Sequence, residues 1–153
     1  MKTTIRHILD NHFSSLAAGM EKYRLDGGVG TMHDMRVDMK SIRSVFFLLE
    51  KAGPRKKAAR QHRRIKKIFA DAGIIREWQL EARWLKKHRR LRLLHLMAYE
   101  EKIRLANKDF LDNVPAHIRA LESIREKGFR LLGKLAERSI RIYVIDLLQS
   151  VTD

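Results

Sequence analysis

From residue 29 to 50 the chain reads VGTMHDMRVDMKSIRSVFFLLE, with apolar residues returning every three or four positions. At about 100° per residue, Met35, Met39, Ile42, Val45, Phe46 and Leu49 gather on one arc of a helix. That pattern predicts an amphipathic helix from near Met32 to the AGP stretch at 52–54. Four interruptions divide the whole chain. LDGGVGT at 25–31 closes a first helix running from about residue 3 to 24, and AGP closes the second. Gly73 separates a third helix from a fourth, and NKDFLDNVP at 107–115 ends the fourth. A last helical stretch runs from Pro115 towards Leu148, with a break expected near Gly128 to Gly133. Pro54 and Pro115 stand where first-turn prolines belong. Thr31, followed three residues later by Asp34, reads as an N-cap with its capping-box partner, and Asp112 or Asn113 as the cap of the last helix. Five to six helices with short connections predict an all-α fold, an antiparallel helical bundle forming a single domain over residues 1–153.

Composition supports this reading. The chain has 153 residues, two prolines, eight glycines and no cysteine. A chain of this length can bury roughly 70% of its unfolded surface. The lack of cysteine excludes disulfides and thiolate chemistry and fits a cytoplasmic location. No apolar run approaches the ~18 residues of a membrane span. The N-terminal MKTTIRHILDNHF lacks the unbroken apolar stretch of a signal peptide, so no membrane role is expected.

Charge changes the picture more. Thirty-three Lys and Arg face eighteen Asp and Glu, a formal net charge of +15. Such a surface attracts phosphate-rich partners. On the second helix His33, Arg36, Lys40 and Arg43 fall within an arc of roughly 80°, beside the apolar arc. A solvated charged face is the ordinary explanation of such a run. Against it, the ridge holds no acid to form i, i+4 pairs. It also starts at a helix N-terminus, where cations are disfavoured and bound anions favoured. Its arginines are forks suited to phosphate. The pattern recurs: Lys56, Arg60, Arg63, Arg64 and Lys67 share a face opposite Ala58, Ile65, Phe69 and Ala72. Arg76, Arg83, Lys87 and Arg90 make a further stripe, as do Lys127, Arg130, Lys134, Arg138 and Arg141. Four stripes on consecutive helices predict one continuous basic trough for a polyanion.

The segment from 29 to 50 resembles the signature of the CHAD family, the conserved histidine α-helical domain: a His, then Arg-Val, then basic residues at helical spacing and an apolar tail. His33, Arg36, Val37, Lys40 and Arg43 sit on the motif positions. IKKIFADAGIIREWQLEARWL at 65–85 is similar to a second family segment, with Gly73 and Arg76 matching. Glu77 stands where the family has Asp and Gln79 where a second Asp is common, so that acidic pair is half kept. The resemblance covers residues 5 to 90 well and the remainder loosely. Family members are longer, with two related bundles around a central basic channel; this chain carries one clear motif and looks like a roughly half-length form. A homodimer completing the two-bundle arrangement, a fragment, or a pared-down relative with an open groove are all consistent with a single copy.

The resemblance implies binding of inorganic polyphosphate; the residues themselves offer no catalytic or metal-binding motif, so neither catalysis nor a cofactor is expected. The residues expected to grip it are His33, Arg36, Lys40 and Arg43, joined by Arg60, Arg63, Arg64 and Lys67 from the third helix and Arg76 and Arg83 from the fourth. His33 is read as a hydrogen-bond donor to phosphate. Polyphosphate has no bases to stack, whereas single-strand nucleic-acid sites rely on aromatic platforms. Trp78, Trp84, Phe46 and Phe47 are expected in the core, which favours polyphosphate over nucleic acid, the main rival ligand. A metal-dependent phosphohydrolase acting on polyphosphate or triphosphate is a weaker alternative, because clustered carboxylates are not evident. No Glu-x-x-His, His-Glu-x-x-His, P-loop or Gly-x-Ser-x-Gly occurs.

Overall fold

The computed structural model describes residues 1–87, 93–137 and 139–142, with backbone alone at 93 and 94. Four long helices carry the chain: α1 (Lys2–Asp26), α2 (Val29–Ala52), α3 (Arg55–Lys87) and α4 (Leu93–Lys134). Residues 139–142 are helical as well, and no strand occurs among the described residues. The expected all-α bundle is therefore present. Arg90, Arg138 and the stretch from 143 towards Leu148 lie outside the described residues.

The helices pack in a ring, α1 against α2, α2 against α3, α3 against α4, and α4 back against α1. Specific pairs show that each neighbour runs antiparallel. His12 Nδ1 lies 2.8 Å from Asp38 Oδ1 across α1 and α2, and His62 Nδ1 lies 2.9 Å from Glu50 Oε1 across α2 and α3. Lys86 pairs with Glu100 at 3.0 Å near one end of α3 and α4, while Arg64 donates to Ser123 Oγ further along. Arg125 binds Asp10, and the Tyr23 hydroxyl donates to Asn107 Oδ1 at 2.5 Å, joining α4 to α1. Burial pushes the Tyr23 hydroxyl up to about 12. The core fills the centre of the ring with Leu9, Phe13, Leu16 and Met20, Met35, Met39, Ile42 and Phe46, Ile65 and Ile75, and Leu121 and Ile124. Of the six residues on the apolar arc of α2, Val45 is half-buried and Met35, Met39, Ile42, Phe46 and Leu49 are buried.

Several expected breaks are not breaks. α3 runs through Gly73, and α4 runs through 107–115, Gly128 and Gly133. Pro115 is inside α4, so it caps nothing, and Asn113 uses its side-chain amide to donate to the Asp109 carbonyl at 2.7 Å. The missing Pro115 N–H costs a helix bond. Phe110, Val114, Leu121 and Ile124 are nevertheless all buried on one side, and this packing keeps α4 continuous. Only the first two turn regions stand near their expected places. Gly27 closes α1 in the left-handed region at φ 57°, where glycine carries no Cβ penalty. Thr31 is not the N-cap of α2: Gly28 is, and Asp26 accepts from both the Gly28 N–H (2.8 Å) and the Thr31 hydroxyl (3.0 Å). Pro54 directly precedes α3, its carbonyl accepting from Lys57 and Ala58.

The aromatic expectations divide. Phe46 is buried, but Phe47 is 44% and Trp84 57% exposed, and Trp78 is half-buried. Trp84 lies one turn from the end of α3. Phe47 sits on the rim of α2, with the Lys51 ammonium 5.4 Å above its ring. No helix among the described residues is long and apolar enough to cross a membrane.

Candidate functional site

Where α2 crosses α3, three arginines meet. The Arg36 guanidinium lies 4.1 Å above the centre of the Phe69 ring and donates through Nη1 to the Phe69 carbonyl at 3.1 Å. Arg43, two turns along α2, places its guanidinium 4.7 Å from the same ring. Sequence pattern puts Phe69 in the core. In the structure it is half-buried and serves as a platform whose negative face steadies two cations. Arg76 approaches from α3. Burial, and then the positive charges of Arg76 and Arg43, hold the Arg36 guanidinium below its ordinary pKa. Among the described residues no carboxylate pairs with any of the three. Arg43 Nε and Arg76 Nη1 are buried and donate to nothing.

Gly73 explains how Arg36 gets so close. A Cβ at that position would stand 2.9 Å from Arg36 Nη1. The glycine is therefore a gap in the α3 surface that admits a guanidinium, not a helix terminator. An unpaired buried N–H is costly, and like charges near enough to lower the Arg36 pKa add to that cost. An oxyanion between the arginines would satisfy both orphan donors and neutralise the repulsion, and guanidinium forks suit phosphate geometry.

The remaining expected residues do not all join this cluster. His33 and Lys40 are exposed and lie one step outward from Arg36 and Arg43 on the α2 ridge, so they border the groove. Arg63 is exposed on α3. Arg64 turns the other way, giving Nη1 to Gln61 Oε1 at 2.8 Å and to Ser123 on α4. Arg60 lines a separate groove between α3 and α4, and Lys67 is close enough to α4 for its charge to act on His117. Arg83 lines a cleft with Val29, Lys86 and Glu100, near the end of the bundle. The expected single trough is thus divided, because α3 carries its basic residues around more than half its circumference and meets a different helix on each side. Lys66 is exposed on the same ridge of α3 as Phe69, Gly73 and Arg76. Nothing in the sequence separates it from its basic neighbours; only the packing of α2 on α3 does.

A cavity of about 370 Å³ between α3 and α4 is lined by Asp71, Trp78, Asp109, Asn113 and His117. His117 is largely buried, with Nε2 unbonded and 3.9 Å from Asp71. Burial pulls its pKa down, Asp71 opposes that shift and Lys67 adds to it. Among the described residues no three of His, Cys, Asp or Glu come close enough to share a metal ion.

No curated protein and no solved structure matches this chain. The family model that does match is the CHAD domain, over residues 7–139, a span holding α2, α3, the arginine cluster and all but the ends of the described chain. The chain belongs to the CHAD domain family.

Proposed function

We propose that this protein binds inorganic polyphosphate without chemically altering it, and that the arginine cluster between α2 and α3 is the seat of a run of phosphates. The observation that carries the reading is the pair of buried, unbonded donors, Arg43 Nε and Arg76 Nη1, beside Arg36, with no ion pair to a carboxylate among the described residues. The association of the CHAD family with polyphosphate binding supports the choice of polyanion. Phosphate oxygens would take the orphan donors, with Lys40 and His33 on the outer rim and Lys66 across the groove. Phe69 holds the forks in place through its ring and carbonyl, and the two guanidinium groups, 4.1 and 4.7 Å from the ring centre, stand where a base would have to stack. This favours a ligand made of phosphates over one read by stacking.

The test is a calorimetric titration with long-chain polyphosphate. The Arg36→Met/Arg43→Met variant keeps both side chains long and apolar against Phe69 and removes both charges. It is expected to retain its helical circular dichroism and to lose at least about tenfold in affinity, some 1.4 kcal/mol. Wild-type affinity should fall steeply with salt, by the counterion release seen with nucleic acids. Single-stranded RNA should compete poorly. Undiminished affinity in the double variant would remove the site from this groove.

A further inference from the structure

A second groove, of about 330 Å³, lies between α3 and α4 on the other side of α3. Its polar lining is Lys57, Arg60 and Gln61 from α3, and Lys127, Arg130 and Lys134 from α4. Every charged group there is cationic. Among the described residues Arg130 has one carboxylate contact, an exposed i, i+4 approach to Glu126 at 3.6 Å, a kind of pair that contributes little. Gln61 is buried, and its Oε1 is taken by Arg64. Its amide NH2 is the end left for the groove. The lining therefore presents donors and cations, which calls for a ligand made of negatively charged acceptors.

The two grooves are connected. Along an α-helix, each step of three residues advances about 4.5 Å and turns back about 60°. Arg60, Arg63, Lys66 and Phe69 follow that step. They begin at the α4 side of α3, cross its solvent face and end at the ring beneath Arg36 and Arg43. Arg60, Arg63 and Lys66 are all exposed. They form a diagonal ramp of cations that rises about 9 Å along the helix axis from Arg60 to Lys66, with Phe69 one step of about 4.5 Å further on.

We propose that a single phosphate chain lies across α3, with one part among Arg36, Arg43 and Arg76, a middle part over Lys66 and Arg63, and a further part in the α3–α4 groove. This rests on the polyphosphate reading above and extends it. A chain that reaches both grooves gains the effective concentration of a tethered second contact. Long chains thus bind more tightly than short ones for a reason built into the surface.

Three charge-reversed variants test the path against wild type with long-chain polyphosphate and with tripolyphosphate. Arg63→Glu/Lys66→Glu interrupts the ramp and Lys127→Glu/Lys134→Glu closes the second groove. Lys22→Glu/Lys108→Glu makes the same change in net charge at exposed positions outside both. The ramp and groove variants are expected to weaken long-chain binding about tenfold more than the control does. The ramp variant should weaken tripolyphosphate, which is too short to span α3 and meets only Lys66 of the ramp, by less than it weakens long chains. If both variants bind long chains as the control does while Arg36→Met/Arg43→Met still loses them, the path across α3 is wrong and the polyphosphate reading stands. If wild type binds no long-chain polyphosphate, both fall together.

Discussion

At Gly73 the gap left by a missing side chain decides where a guanidinium can rest. Glycine inside a helix is about 1 kcal/mol less favourable than alanine, so its presence in α3 needs a reason other than helix formation. The reason on view is Arg36 Nη1, 2.9 Å from where a Cβ would stand. In Gly73→Ala the far end of a flexible arginine would give way, and the backbone would not. The variant is therefore expected to melt at or a few degrees above wild type while its affinity for long-chain polyphosphate falls about fivefold, near 1 kcal/mol. Thermal denaturation and titration on the same sample check both halves, and a fall in melting temperature with unchanged affinity would reverse the assignment. The residues of the α2 ridge were legible because a 3.6 period sorts one helix's faces without any partner. The role of Phe69 was not, because it is set by Arg36 and Arg43 on a different helix.

Helix ends were harder to read than helix faces, and α3 and α4 show why. Gly73 and the Pro115 region carry the local chemistry of breaks, yet buried residues on either side of each hold one helix together. Helix α4 runs antiparallel to α3, yet the sequence between Lys87 and Leu93 holds neither glycine nor proline to announce a new helix. What joins the two helices can be tested through His117, which leans on Phe110 with ring centres 5.3 Å apart and faces Asp71 and Lys67 from α3. Its pKa is lowered from 6.5 in the folded chain, chiefly by burial. The unfolded chain therefore takes up the proton first as pH falls, and folding stability declines from about 6.5 down to the folded pKa. Below that both states are protonated and the loss levels off. His117→Gln, neutral throughout, should show a smaller decline over that window. His12 with Asp38 and His62 with Glu50 are present in both proteins, so the difference between their denaturant midpoints at each pH isolates His117. Parallel pH profiles would mean that His117 is not held neutral by the α3–α4 packing.

For the molecule as a whole, the sign of the surface was plain from its net charge of +15, but the division of that charge into two grooves was not. Stripes computed helix by helix cannot say which neighbour each will face, and α3 faces two. The same charge has a consequence for stability. Arg36, Arg43 and Arg76 are held together without a counter-charge, and a depressed guanidinium pKa means that the folded state disfavours the charged form. That cost is fully present at every pH below the folded pKa, so acid or mild base cannot relieve it, whereas removing charge or adding an anion can. Arg36→Met/Arg43→Met, free of ligand in low salt, is therefore expected to melt above wild type. With long-chain polyphosphate at about a hundred times the wild-type Kd, binding adds some 2.7 kcal/mol to wild type, about 5–10 °C for a chain of this length. The variant, having lost the seat, should gain far less, and the order of melting temperatures should reverse. Scanning calorimetry on both proteins with and without the polyanion decides it. If the variant is the less stable of the two in the absence of ligand, the three arginines contribute to the fold in their own right, and the view of them as a strained cluster that phosphate relieves is lost.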